Sequence, residues 1–459
     1  MTSVLARSLN LDARSAADRP LLPVAGADLP VPLVDGRVVP YANLDYAASA
    51  PALECVAQHV AQVLPYYASV HRGAGYASRV STALYEGARV SVGRFLDVRE
   101  DDVVVFTRNT TDSLNLLAGC VPPGGRVLLL DLEHHANLLP WQQVEHDVLP
   151  VASTLEETLT DVSRALAQRP TALLAVTGAS NVTGEELPVD LLVTIAHAHG
   201  ARVVVDAAQL APHRRISLQE SGVDYLAFSG HKLYAPYGSG VLVGRRDWLD
   251  AGRPHLAGGG AVRSVAVDST EWAAAPQRHE AGSPNVLGAT AIAAACEALA
   301  TLPEGALEVH ETVLRDRLVG GLSAIDGVHV HRIWPDSQSS IGVVTFSVDG
   351  YDPGLVAAEL SAEHGIGVRD GKFCAHPLLA RLGLPEGAVR ASVGVGTTAT
   401  DVDRLVAAVR ALLADGPGAR YEVREGRWVP VDDPRELPSS LWGLLQGATS
   451  SGTSPCAQR

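Results

Sequence analysis

Ala201-Arg202-Val203-Val204-Val205-Asp206-Ala207-Ala208-Gln209 decides the architecture. Three consecutive valines favour extended backbone, and a run that is apolar on both faces predicts a strand covered on both sides. The run ends in Asp206, an acid at the strand's C-terminal tip. Working outward, similar short runs lie at Asp102–Phe106, Arg126–Leu130, Ala172–Val176 and Tyr225–Phe228. Apolar residues recur at helical spacing in 155–168, 189–199, Pro51–Leu64 and Ser81–Leu96. Strands alternating with helices predict an α/β fold, a mostly parallel sheet between helices. Function in such sheets gathers at the C-terminal ends of the strands.

The remaining chain divides around this core. Residues 1–40 lack periodicity and read as an N-terminal arm, and 41–299 as the large domain. From 300 to 415 the pattern changes: Ile341–Val348 reads as a strand, and 353–364 and 401–414 as helices. This predicts a smaller C-terminal α+β domain, joined by part of the N-terminal segment. Residues 416–459 are rich in Pro, Gly and Ser and read as an extension whose end is disordered.

Bulk composition excludes several classes. The 459 residues are 47% hydrophobic, enough for a sizeable interior. A formal net charge of −15 gives no footprint for DNA or RNA. Cys55, Cys120, Cys296, Cys374 and Cys456 are scattered, without a CxxC pair, which argues against zinc and against a disulfide framework. A reducing cytoplasm fits that usage. No stretch of about 18 apolar residues predicts a membrane span, and the N-terminus does not read as a signal peptide.

Lysine is scarce: Lys232 and Lys372 are the only two. Lys232 follows the Tyr225–Phe228 run within Ser229-Gly230-His231-Lys232. An amine there suits the imine-forming group of a pyridoxal 5′-phosphate (PLP) enzyme, although a lone loop lysine is more often a surface residue. Asp206 suits the acid that keeps the ring nitrogen protonated and the ring a good electron sink. Its bland alternative is a helix cap. Gln209, one helical turn on from Asp206, suits a contact to the phenolic oxygen, and so does Asn181 in Ser180-Asn181-Val182-Thr183-Gly184, unless Asn181 is an ordinary turn residue. Thr110 and Thr111 open a predicted helix, whose N-terminus suits a phosphate or simple capping. Ser229 and His231 flank Lys232 closely enough to reach the same phosphate. His134, in Glu133-His134-His135-Ala136-Asn137, suits stacking on the ring and proton transfer. No third ligand accompanies the histidines, so a metal site is not predicted. Cys374 sits among Arg369, Lys372 and His376, which lower a thiol pKa if they face it. A buried structural cysteine is the plainer reading. Arg390 suits a substrate carboxylate, or is a surface arginine.

In order and spacing these stretches resemble the class V (fold type I) PLP-dependent aminotransferase family, most closely its group II cysteine desulfurases and selenocysteine lyases. The matching stretches include Leu44-Asp45-Tyr46-Ala47-Ala48-Ser49, Val70-His71-Arg72-Gly73, Tyr85-Glu86-Gly87-Ala88-Arg89, Phe106-Thr107-Arg108-Asn109-Thr110-Thr111 and Glu280-Ala281-Gly282-Ser283-Pro284-Asn285. Glu133–Asn137, Asp206–Gln209 and Ser229–Lys232 complete the set.

The resemblance implies a seven-stranded sheet and PLP held by Lys232. It implies Asp206 on the ring nitrogen, Gln209 and Asn181 at the phenolic oxygen, and His134 stacked on the ring. Thr110, Thr111, Ser229 and His231 would hold the phosphate, with Ser283 reaching it from the partner subunit of a homodimer. Arg390 would bind the substrate carboxylate together with Asn181, and Cys374 would be the thiolate that becomes a persulfide. The chain departs from the group at Lys372-Phe373, where two histidines usually precede the cysteine. It departs again at Gly396-Thr397, where Tyr-Asn is usual.

The expected activity is removal of sulfur from L-cysteine to give alanine, with a sulfur-acceptor protein as a further partner. The alternative is a class V aminotransferase, C–S lyase or epimerase acting on another amino acid without Cys374. A PLP-fold scaffold without chemistry is the third reading, and the Lys232/Asp206 pair argues against it.

Overall fold

A computed structural model describes residues 17–436 and 438. The predicted disorder at the end of the 416–459 segment lies outside the described residues. The chain forms two compact units. Of the described residues, one comprises Ser49–Glu308 and Ile333–Ile341; the other comprises those up to Ala48, Val309–Arg332 and those from Gly342 onward.

The first unit is built on seven strands: β1 (Asp102–Thr107), β2 (Val127–Leu130), β3 (His146–Leu149), β4 (Leu173–Thr177), β5 (Arg202–Asp206), β6 (Tyr225–Ser229) and β7 (Gly240–Arg245). Their order is β1-β7-β6-β5-β4-β2-β3. Strands β6, β5, β4, β2 and β3 run parallel, and β7 is antiparallel to both its neighbours. Because β7 runs opposite to β1 and β6, all the other strands point the same way. Thr107, Ser229, Asp206, Thr177 and Leu130 therefore end on one edge.

The runs that read as apolar on both faces are buried on both faces: all five residues of β4 and all five of β6 are buried. Alternate residues Val103, Val105, Val127, Leu129, Leu173, Ala175, Val204 and Ala227 join one core with Leu114, Leu117 and Trp141. At about 25 cal/mol per Å² of apolar surface removed from water, this burial is the main stabilising contribution to the sheet. Helices α1 (Glu54–Val63) and α2 (Tyr76–Phe95) both pack against the helix Val286–Ala300.

The second unit holds a four-stranded antiparallel sheet of β8 (Val328–Val330), β9 (Val343–Val348), β10 (Arg369–Gly371) and β11 (Ala388–Ser392), in the order β8-β9-β11-β10. Helices Pro353–His364 and Ala399–Asp415 share its core through Val356, Leu360, Val402, Leu405, Val409 and Leu412. The i, i+3, i+7, i+10 spacing of the latter four puts them on one face. Ala42–Asn43 pairs in parallel with Ile366–Gly367, so a piece of the N-terminal segment belongs to this unit.

Two segments carry more structure than their sequence predicts. Pro30–Pro32 pairs with Val38–Pro40 inside the N-terminal arm. Beyond Asp415, β12 (Tyr421–Arg424) and β13 (Arg427–Pro430) form a hairpin. Its two-residue loop, Glu425-Gly426, has positive φ at both positions, 52° and 75°. That is the backbone hand that a tight hairpin requires. Glu363 fixes its base, accepting from the Gly418 and Ala419 amides at 3.0 Å each and from the Tyr421 hydroxyl at 2.8 Å.

Candidate active site

The strand ends of the first unit carry a set of polar groups that the strands alone would not explain. After β1 the chain turns into α3 (Thr110–Ala118), capped by Asn109, whose side chain accepts from the Asp112 amide at 2.9 Å. The cap is therefore Asn109, one residue before the predicted threonines, which leaves Thr110 and Thr111 as the first turn of the helix. The Thr110 amide donates to the Ser229 hydroxyl at 2.8 Å, and the two hydroxyls lie 2.7 Å apart. Thr111 is exposed. A Cβ on Gly240 would stand 2.6 Å from the Asn109 Cα, so only glycine lets the cap sit against the sheet.

Ser229 ends β6 and leads into the turn carrying His231 and Lys232. The Lys232 amide closes that turn onto the Ser229 carbonyl at 3.3 Å. His231 is braced by the Ala50 amide on its carbonyl, at 2.8 Å, and by the Ser49 hydroxyl 3.3 Å from Nδ1. Burial, and then the nearby Lys232 charge, pushes the His231 imidazole down to about 4. It is a neutral donor or acceptor at neutral pH.

Asp206 ends β5 and is 4% exposed. Burial raises its pKa, while the Ala208 amide, which it accepts at 2.9 Å, and the Lys232 charge lower it. A buried carboxylate in that balance calls for a cationic partner to stay ionised. The following residues Ala208–His213 form turns rather than the helix assumed in placing Gln209, yet Gln209 is buried on them at 3% exposure. Asn181 is buried in the turn after β4.

His134 caps the short helix His135–Leu138, its Nδ1 accepting from the Ala136 amide at 3.0 Å. That bond leaves the proton of the neutral ring on Nε2. Sequence reading passed over its neighbour Glu133. This carboxyl is fully buried and accepts from the Thr177 amide at 3.0 Å and the Asn137 amide nitrogen at 2.7 Å. It ties the ends of β2 and β4 beside His134. Burial drives its pKa well up, with the charge of Asp206 adding to the effect.

Ser283 is exposed and makes no side-chain hydrogen bond among the described residues. Its loop is anchored by Glu280, which accepts from the amide of Phe106 at 2.7 Å and from both terminal nitrogens of Arg89 at 2.8 Å.

In the second unit, Arg390 is 3% exposed on β11, with one guanidinium nitrogen 3.2 Å from the Asp45 carboxylate and the group 5.1 Å above the Phe373 ring. It is not the surface arginine of the plainer reading. Cys374 is partly exposed and forms no disulfide among the described residues.

A family model for Aminotransferase class-V matches residues 42–405. The chain belongs to that family. Among relatives, a cysteine desulfurase of Klebsiella pneumoniae is 37% identical over 84% of this chain and 96% of its own. A probable cysteine desulfurase of Mycobacterium leprae is 40% identical over 74% and 84%. The apo structure of a cysteine desulfurase from Thermococcus onnurineus superposes with a TM-score of 0.75 at 33% identity, covering 81% of this chain and 94% of that one. The S-sulfonic acid form of CsdA from Escherichia coli, also a cysteine desulfurase, gives 0.71 at 35%, with the same coverage.

As a class V family member the chain is a PLP-dependent enzyme, and its strand ends fit that cofactor on their own chemistry. The first turn of α3 and the Thr110–Ser229 hydroxyl pair suit a phosphate. The buried Asp206 carboxylate suits a protonated ring nitrogen, and Lys232, whose charge Asp206 already feels, suits the aldehyde carbon.

Proposed function

We propose that the protein is a PLP-dependent cysteine desulfurase that converts L-cysteine to L-alanine and leaves the sulfur as a persulfide on Cys374. Relatives 35–40% identical over about three quarters or more of this chain, all named cysteine desulfurase or probable cysteine desulfurase, carry the reading.

In this reading Lys232 holds the cofactor, Asp206 pairs with its ring nitrogen, and Asn181 and Gln209 meet its phenolic oxygen. Thr110, Thr111, Ser229 and His231 hold the phosphate, and His134 lies on the ring. Bound PLP supplies an electron sink for negative charge at the substrate Cα. Lys232 then takes the Cα proton as a general base, and Arg390 binds the substrate carboxylate, with Asn181 as a further contact. The Cys374 thiolate attacks the substrate sulfur. The new S–S bond forms as the Cβ–S bond breaks, and its electron pair leaves on carbon, which protonates to alanine. The balance is L-cysteine plus a thiol giving L-alanine plus a persulfide.

Ser283 supports a homodimer, since its exposed hydroxyl makes no hydrogen bond among the described residues and would serve the phosphate of a second copy. A sulfur-acceptor protein would then take the sulfur from Cys374. No described helix is long and apolar enough to cross a membrane. Cys55, Cys120, Cys296 and Cys374, none of them in a disulfide among the described residues, support a reducing, cytoplasmic setting.

A second reading draws on Asp45, which occupies one edge of Arg390. A class V aminotransferase, C–S lyase or epimerase acting on another amino acid would not need Cys374. A single turnover with L-cysteine separates the two. The desulfurase yields alanine and a labelled persulfide on the Cys374 peptide in equal amounts, and Cys374→Ser yields neither. Full alanine production by Cys374→Ser would overturn the desulfurase reading.

A further inference from the structure

The segment Lys372-Phe373-Cys374-Ala375 folds as a turn, closed by the Ala375 amide donating to the Lys372 carbonyl at 3.0 Å. Its two central residues both have positive φ, 51° at Phe373 and 54° at Cys374. Tight turns with two such positions are normally filled by Asn and Gly. A phenylalanine and a cysteine there are disfavoured, and such a backbone persists only where its surroundings hold it. The surroundings here are specific. The Phe373 side chain is 4% exposed, and its ring lies under the Arg390 guanidinium at 5.1 Å. Arg390 is held from its edge by Asp45 at 3.2 Å and feels the Cys374 thiolate electrostatically. A cation over an aromatic face in a desolvated setting is a substantial attraction.

We propose that Phe373 is a positioning residue that locks the Cys374 turn to Arg390, so that the thiol and the carboxylate-binding guanidinium hold one fixed arrangement. The ring replaces one of the histidines usual before the cysteine. It contributes no proton chemistry; it contributes a hydrophobic plate that orients Arg390 and a backbone that aims the next residue. The charged groups acting on Arg390 include Asp45, Arg369 on β10 and the Cys374 thiolate.

The test compares Phe373→Leu, Phe373→Gly and Phe373→Tyr in the holoenzyme. Leu keeps an apolar side chain without the ring. Gly relieves the positive φ, so its folding is not compromised by the turn. Tyr keeps the ring. Iodoacetamide labelling of Cys374, followed on its own peptide because Cys55 is also exposed, gives a pH midpoint without reference to activity. The midpoint should rise by half a unit or more in the Leu and Gly variants, as the thiolate loses the fixed guanidinium, and stay put in Tyr. The KM for L-cysteine should rise about five- to tenfold in Leu and Gly, with Tyr close to wild type.

Coincident midpoints in all four proteins, or a Tyr variant that moves with Leu, would overturn the inference. The KM comparison rests on the desulfurase reading, and the labelling does not. If wild type turns over no cysteine but the midpoints separate, the positioning role stands and the desulfurase reading fails. If wild type turns over cysteine and the midpoints coincide, only the positioning role fails.

Discussion

The Thr110 amide and the Thr110 hydroxyl both meet the Ser229 hydroxyl, at 2.8 and 2.7 Å. One bond set thus joins the first turn of α3 to the last residue of β6, across the antiparallel β7 that separates β1 from β6. The Ser229 hydroxyl still has capacity for one more partner, and a phosphate oxygen at the helix N-terminus is the natural one.

Replacing Ser229 with Ala should therefore weaken cofactor binding more than folding. Loss of one hydrogen bond to a charged group is worth about 1.5–3 kcal/mol, so the dissociation constant of PLP from the apo-protein should rise at least about tenfold. Loss of the neutral Thr110 contacts should lower stability by only about 1 kcal/mol. Titration of the apo-protein with PLP, set beside a urea melt, measures both. Unchanged affinity would remove Ser229 from the phosphate site.

His231 gives a pH signature. Its pKa in the fold is down at about 4, against about 6.5 for a free imidazole. Between those values the unfolded chain binds more protons than the folded one, so stability rises with pH across the window. Thermal melts of the cofactor-free protein should show Tm falling as pH drops from about 6.5 towards 4, and His231→Gln should flatten that part of the curve. Parallel curves for the two proteins would show that the imidazole is not held neutral.

The Arg89–Glu280 pair is largely buried, with side chains 13% and 7% exposed. Glu280 also takes an amide of β1, an edge strand of the sheet. Glu280→Ala leaves both Arg89 and the Phe106 amide without that acceptor and should cost about 3–5 kcal/mol. The loop carrying Ser283 should then exchange its amide hydrogens faster. A variant as stable as wild type by chemical denaturation would make the pair dispensable.

The parallel sheet and the polar residues at its C-terminal edge were legible because β-branched runs ending in Asp206 and Ser229 are local signals. The same holds for Lys232, which stands three residues beyond a strand that is buried throughout. Partnerships at long range were not legible. Asp45 and Arg390 are 345 positions apart, and Arg89 and Glu280 are 191 apart. Nothing in either stretch says which opposite charge it will meet. Glu133 was hidden differently: a carboxylate between two apolar strand ends reads as solvated until the Thr177 amide and Asn137 are seen to enclose it. The 421–430 hairpin escaped because its strands are only four residues long, the first of them largely exposed, and Glu-Gly is a weaker turn signal than Asn-Gly.

That hairpin bears on how the protein is handled in the laboratory. The family match stops at residue 405, which invites truncation soon after the last helix. Such a cut would strip Glu363 of three donors at once and lift Trp428 from its place beside Gly354, on the helix that also packs against β10 and its Asp370. Asp370 belongs to the strand that leads into the Cys374 turn. A shortened chain would thus be altered next to the strand that leads into the Cys374 turn, so the hairpin belongs in any version of the protein made for study.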